Sequence, residues 1–227
     1  MKRLAFLTLA VFFLIPSMLS AADPGQKKRL VIIDAAHGGA DGGVIVTDKV
    51  REKDVVLAMS QMLQKELAKM PGIQVQMTRT SDKMLSTAER RQMIEAAPAD
   101  ALFISLHVNA GFGKNATGYE IYFPGFKTTP EEKGGSKTIV KDMARNKSLN
   151  DSVRFAQVIQ RNMENIFPRK GRGLRDASMP VLNDLPMTAV VLEIGFATHA
   201  DDRKKIMDVK TQQAIAQALT RSVRDFF

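Results

Sequence analysis

Three short, largely apolar runs constrain this chain more than any other feature: Leu30–Asp34, Ala101–Leu106 and Ala189–Phe196. Near-continuous Ile, Val, Leu and Phe over so few residues is how a strand reads when both its faces are buried, as in a parallel sheet. Between the runs the pattern changes period. Asp54–Lys69 carries apolar residues at helical spacing and is ended by Pro71-Gly72. Ser86–Ala97 opens with Ser86-Thr87-Ala88-Glu89, a capping box. Asp151–Phe167 and Thr211–Phe227 repeat the amphipathic pattern, while Ile73–Met77 and Gly118–Phe123 read as further strands. Strands alternating with helices predict one α/β domain, a three-layer structure with a mostly parallel central sheet and helices on both faces.

Pro124–Asn150 breaks the alternation. It is charged, holds Gly134-Gly135 and has few apolar residues, so it reads as a loop or a short helix inserted in the domain.

The first residues read differently. Lys2 and Arg3 precede the apolar stretch Leu4–Leu14, and Ser20-Ala21-Ala22 supplies the small side chains a signal peptidase requires. This predicts a signal peptide over 1–22 and a single domain over 23–227. The apolar stretch is short for an uncleaved anchor. The expected location is therefore outside the cytoplasm, in the periplasm or cell exterior, with no stable membrane span after cleavage. There is no Cys, which excludes disulfides, a thiol nucleophile and thiolate metal ligation. The net charge of +9 suits anionic wall polymers or lipid headgroups as partners. Nucleic acid is not expected: export argues against it, and the absence of Trp leaves no aromatic-interleaved basic patch.

Two of the predicted strands lead directly into a histidine, His37 in Asp34-Ala35-Ala36-His37-Gly38-Gly39 and His107 in Ser105-Leu106-His107-Val108-Asn109. The carboxyl edge of an open α/β sheet is where ligands bind. A catalytic zinc takes three ligands from His, Glu and Asp, leaving one position for water. Glu52, at the predicted start of the first helix, can reach the edge that carries His37. Asp54 competes with it but reads as the helix N-cap. Glu193 lies inside an otherwise apolar strand, where a carboxylate is costly without compensation, and is the candidate general base. Asp34 reads as an orienting partner of an imidazole or a loop cap, His199 as a cap of the following helix, and Arg79 and Arg90 as partners of acids.

Taken in order, Asp34-Ala35-Ala36-His37-Gly38-Gly39, Glu52-Lys53-Asp54, Thr78-Arg79-Thr80, Glu89-Arg90, Ser105-Leu106-His107-Val108-Asn109-Ala110 and Leu192-Glu193-Ile194-Gly195-Phe196 resemble the zinc-dependent N-acetylmuramoyl-L-alanine amidases. The resemblance covers Leu30 to the C-terminus. It implies a zinc-exopeptidase-like fold, Zn²⁺ on His37, Glu52 and His107, Glu193 as catalytic acid/base, and peptidoglycan as substrate. It further implies a possible activator protein, and a monomer is expected. The family usually has Pro-Gly where this chain has Ala35-Ala36, which predicts strain if position 36 needs a glycine conformation. Some members cover the zinc with an insertion at the place of Pro124–Asn150; Glu131 or Glu132 would be the blocking group here. The competing readings are a non-catalytic peptidoglycan-binding envelope protein on the same fold and a zinc carboxypeptidase.

Overall fold

The computed structural model describes residues 28–113, 115–125, 136–167, 173–183 and 185–227. The expected signal peptide, Glu131 and Glu132 lie outside them. The elements in chain order are β1 (Arg29–Ala35), β2 (Ile45–Thr47), β3 (Val50–Arg51), α1 (Glu52–Leu67), β4 (Ile73–Met77), α2 (Thr87–Glu95), β5 (Leu102–Asn109), β6 (Glu120–Pro124), α3 (Ser136–Met163), β7 (Gly173–Ala177), β8 (Thr188–Phe196), α4 (Ala200–Met207) and α5 (Val209–Phe226). Six strands form one mixed sheet in the order β4-β1-β5-β8-β6-β7; β2 and β3 form a separate hairpin. Strands β4, β1, β5 and β8 run parallel. Strand β6 pairs antiparallel to β8, and β7 runs parallel to β6.

The apolar runs form the central strands for the reason the sequence supplies: both faces are covered. Odd-numbered β1 positions (Val31, Ile33, Ala35) and even-numbered β5 and β8 positions (Leu102, Ile104, Leu106, Val190, Leu192, Ile194) join one core with α1, α3 and α5. In α5 that face is Ile215, Leu219, Val223 and Phe226, a helical stripe. The opposite face is thinner. Ile32, Phe103, Ala189 and Val191 pack there against Ile94 of α2 and against Leu182, Leu185 and Met187 of the segment entering β8. A nine-residue helix cannot cover a six-stranded sheet, so this face keeps an open groove toward the carboxyl edge.

The structure differs from the expectations at four places. The second half of Pro124–Asn150 is neither loop nor short helix: from Ser136 onward it belongs to the 28-residue helix α3. Helix α1 starts two residues earlier than expected, so its N-cap is Arg51 and Asp54 sits at the third helical position, accepting from the Arg51 N–H at 3.0 Å. Strand β7 was not expected, since Gly-Leu-Arg-Asp-Ala at a sheet edge carries no apolar run. Ala36 is not strained; the left-handed residue is His37, with φ 61°. The Ser86–Glu89 capping box forms as expected, with both reciprocal bonds in place. No helix among the described residues is long and apolar enough to cross a membrane.

Candidate metal centre

His37 follows β1 at the carboxyl edge. Its left-handed backbone continues into Gly38 at φ 131° and Gly39 at φ 57°. A non-glycine residue in this region is uncommon and needs support from its surroundings. Two buried arginines supply that support. Arg79 donates to the carbonyls of Ala35 (2.8 Å), Ala36 (2.9 Å) and Lys53 (2.8 Å). Arg90 donates to the His37 carbonyl at 2.8 Å and to the carboxylate of Asp34. Arg90 thus pairs with an acid as expected, whereas Arg79 serves main-chain carbonyls. Asp34 is buried and also accepts from Thr78 Oγ1 (2.6 Å) and Ser105 Oγ (2.7 Å). It acts on His37 through Arg90 and the backbone, not through the imidazole.

The loop after His37 returns through the β2–β3 hairpin to α1, whose first residue is Glu52. A carboxylate at a helix N-terminus is favoured by the exposed N–H groups there. Glu52 is 2% exposed, and each oxygen also accepts a main-chain N–H: Oε2 from Val44 and Oε1 from Val108, both at 2.9 Å. His107 is on β5, whose neighbour on one side is β1 and on the other β8.

These elements bring His37, Glu52 and His107 together, with one ligand atom of each within 4.8 Å of the others. His37 Nε2 lies 3.1 Å from Glu52 Oε2, and His107 Nδ1 lies 3.3 Å from Glu52 Oε1. Donors bound tetrahedrally at 2.0–2.1 Å stand roughly 3.3 Å apart, so the set has the spacing of a metal site. The other nitrogen of His37, Nδ1, is 2.8 Å from Asp41 Oδ2, a contact that fixes the tautomer presenting Nε2 inward. Gly43 completes the cradle: a Cβ there would come within 2.5 Å of Glu52 Oε2 and 2.6 Å of His37 Cδ2.

The electrostatics fit the same reading. The hydrogen bond to Glu52 raises His37 to about 9, with burial working against it. Burial works to raise Glu52, but the two imidazoles outweigh it and bring it down to about 2. Burial lowers His107, yet Glu52 and the neighbouring acids raise it above the ordinary range. The three groups hold one another by sharing positive charge around a buried carboxylate, and a divalent cation supplies such charge.

Glu193 stands opposite His107 in the β5–β8 register, on the same face. Burial pushes its carboxyl up to about 7, and the carboxylates of Glu52 and Glu120 add to the rise while His107 opposes it. Its Oε2 is buried with no hydrogen-bond partner among the described residues. A buried polar atom without a partner costs about 1–3 kcal/mol, which a group entering the site would relieve. A groove of about 300 Å³ leads to the site along the thinner face, lined by His37 and His107 and walled by Leu85 and Thr87 before and in α2 and by Met179 and Val181. His199 is the N-cap of α4, its Nδ1 accepting from the Asp202 N–H at 3.4 Å, as expected.

Sequence reasoning missed Asp41, Gly43 and Glu120. Glu120 was within reach of the argument applied to Glu193, being the acid in the apolar run Tyr119–Phe123. Asp41 and Gly43 sit in a glycine-rich loop whose path no periodicity reveals.

Residues 31–225 match the sequence profile of the Amidase_3 family, N-acetylmuramoyl-L-alanine amidase. Among curated relatives, the uncharacterized protein YqiI of Bacillus subtilis is 31% identical, over 91% of this chain and 88% of its own length. The N-acetylmuramoyl-L-alanine amidase AmiC of Escherichia coli is 23% identical over 94% of this chain, which spans only 57% of AmiC. An N-acetylmuramoyl-L-alanine amidase structure from Clostridium difficile superposes with a TM-score of 0.72 at 26% identity, covering 88% of this chain and 97% of that one. The CwlD amidase of Clostridioides difficile, solved in complex with the GerS lipoprotein, shares the fold at a TM-score of 0.71 and 22% identity, over 88% of this chain and 98% of that one. By sequence profile and by fold, the chain belongs to the N-acetylmuramoyl-L-alanine amidase family.

Proposed function

We propose that this chain hydrolyses the amide between the lactyl group of N-acetylmuramic acid and the L-alanine of the stem peptide, using one zinc ion held by His37, Glu52 and His107. The observation that carries this reading is the donor set of two imidazoles and a carboxylate beside a buried, unpartnered carboxyl oxygen. A zinc ion bound by these residues supplies a Lewis acid for the carbonyl and lowers the pKa of water. Asp41 holds the His37 tautomer, and the main-chain N–H groups of Val44 and Val108 hold Glu52 in place. Glu193 takes the proton of the attacking water. Its raised pKa suits it to return that proton to the alanine nitrogen as the C–N bond breaks.

Export follows from the signal-peptide reading of 1–22 and agrees with a wall substrate. An activator protein belongs to the same reading, supported by the CwlD–GerS pairing in a protein of this fold. The deciding experiment incubates the mature protein with purified peptidoglycan, with and without chelator, and identifies the products by mass spectrometry. Stem peptides with a free N-terminal L-alanine, absent under chelation, are expected. Products that keep the muramyl–alanine bond would overturn the reading in favour of a carboxypeptidase, and no products with binding retained would favour a wall-binding protein.

A further inference from the structure

His107, Glu193 and Glu120 form a row across three strands. His107 on β5 pairs with Glu193 on β8, and Glu193 pairs with Glu120 on β6, so all three side chains leave the same face. Past Glu193 the β5–β8 register slips: His107 faces Glu193, but Asn109 faces Phe196. The slip is a bulge that carries Gly195 at φ 143°, a conformation that favours glycine, and a Cβ there would meet Ile206 and Asp202 of α4. Asn109 reaches across the sheet just past this pair. Its Nδ2 donates to Glu120 Oε2 at 3.0 Å, although β8 lies between their two strands. The Asn109 amide therefore crosses β8 to reach the residue that pairs with Glu193.

Glu120 fixes which way that amide faces. It is fully buried, and the same Oε2 accepts the Tyr122 hydroxyl at 2.6 Å. A carboxylate oxygen already accepting one bond draws the NH₂ end of Asn109 and excludes the carbonyl end. Asn109 Oδ1 is thereby turned away from Glu120. Asn109 is half-exposed, and its oxygen accepts no hydrogen bond among the described residues.

We propose that Asn109 Oδ1 accepts the N–H of the scissile amide, and that Glu120 is the positioning residue that aims it. This rests on the hydrolysis proposed above. There the leaving nitrogen must come within proton-transfer distance of Glu193, and the Asn109 oxygen is an open acceptor, among the described residues, held against the strand partner of Glu193. A hydrogen bond at that nitrogen sets the plane of the amide. The carbonyl then faces the metal donors, and the nitrogen lone pair develops toward the Glu193 proton as the C–N bond breaks.

The test compares two substrates. One is N-acetylmuramoyl-L-alanyl-D-isoglutamine. The other is its depsipeptide analogue with L-lactate in place of L-alanine, so that the scissile N–H becomes an ester oxygen with a better leaving group. Asn109→Ala is expected to lower kcat/KM about tenfold on the amide, the effect of one neutral hydrogen bond, and less than about twofold on the ester. Bound zinc should stay at the parent value, and Tm should fall by only a few degrees, because Glu120 keeps its bond from Tyr122. Asn109→Asp keeps an oxygen but loses the donor to Glu120 and faces a like charge; it is expected to lower the amide-to-ester ratio of kcat/KM, taken here as the amide preference, as well. Equal losses on both substrates would show a merely structural role and overturn the proposal, as would an undiminished rate on the amide. An Asp variant with the parent's amide preference would overturn the role of Glu120. If the parent opens neither substrate, the hydrolytic reading beneath the proposal fails instead, and the proposal with it.

Discussion

Replacing Arg90 by Met tests how the catalytic edge is held. Arg90 is 6% exposed and Asp34 is 2% exposed, so their ion pair is out of water. Arg90→Met keeps most of the side-chain volume but removes the charge. Asp34 then retains only the hydroxyls of Thr78 and Ser105, and the carbonyls of Ala35 and His37 lose donors. Breaking a buried pair from one side costs about 3–5 kcal/mol, because the remaining charge stays buried without compensation. In a domain of this size that corresponds to a fall in Tm of roughly 6–20 °C. It also corresponds to a drop of about 1–2 M in the urea midpoint at unchanged slope. The measurement is urea denaturation followed by circular dichroism, with chelator present so that metal binding does not contribute. Asp34→Ala and the double variant complete a cycle. The double variant should be less destabilised than the sum of the singles by at least about 2 kcal/mol, because it leaves no orphaned charge. A cost under about 1 kcal/mol for Arg90→Met, or additivity in the cycle, would refute the argument that this pair fixes the edge.

The remaining expectations concern the site itself. Gly43→Ala forces a methyl against Glu52 Oε2 and His37 Cδ2 in a backbone region that disfavours L side chains; isothermal titration should show zinc affinity falling by more than tenfold while the far-ultraviolet spectrum is kept. Asp41→Ala frees the His37 tautomer and should weaken zinc about 10–100-fold by competition with a chromogenic chelator, with unchanged affinity counting against an orienting role. Glu193→Ala should keep one zinc per chain and lose about 10²–10⁴-fold in turnover, and retained turnover would remove Glu193 from the chemistry.

The parts of this molecule that were legible in sequence are those where one physical cause acts alone. The central strands announce themselves because burial on both faces admits only apolar residues, and Ser86–Glu89 because a capping box is local. His37, His107 and Glu193 stand out as polar groups at the ends of such strands or inside them, Glu52 is suggested by the start of the first helix, and the structure brings His37, Glu52 and His107 together. What was illegible depends on neighbours distant in sequence. Strand β7 is held at the sheet edge by pairing with β6, not by its own composition. The first half of α3 has too weak an apolar pattern to be read as helix from sequence. The strain expected at Ala36 falls on His37 instead, because Arg79 and Arg90, contributed by the segments after β4 and in α2, clamp the carbonyls on either side of it.

The order of strands also bears on how the molecule acquires its activity. The three candidate metal donors come from the loop after β1, the start of α1 and β5, all in the first half of the chain, while Glu193 comes from β8 near its end. Strand β8 is nonetheless the direct neighbour of β5, so the centre of the sheet closes only when the C-terminal half arrives. Pairings so distant in sequence form slowly, because chain closure must precede the contacts that reward it. The site is thus complete only once β8 has paired with β5, which ties the proposed acid/base to closure of the sheet.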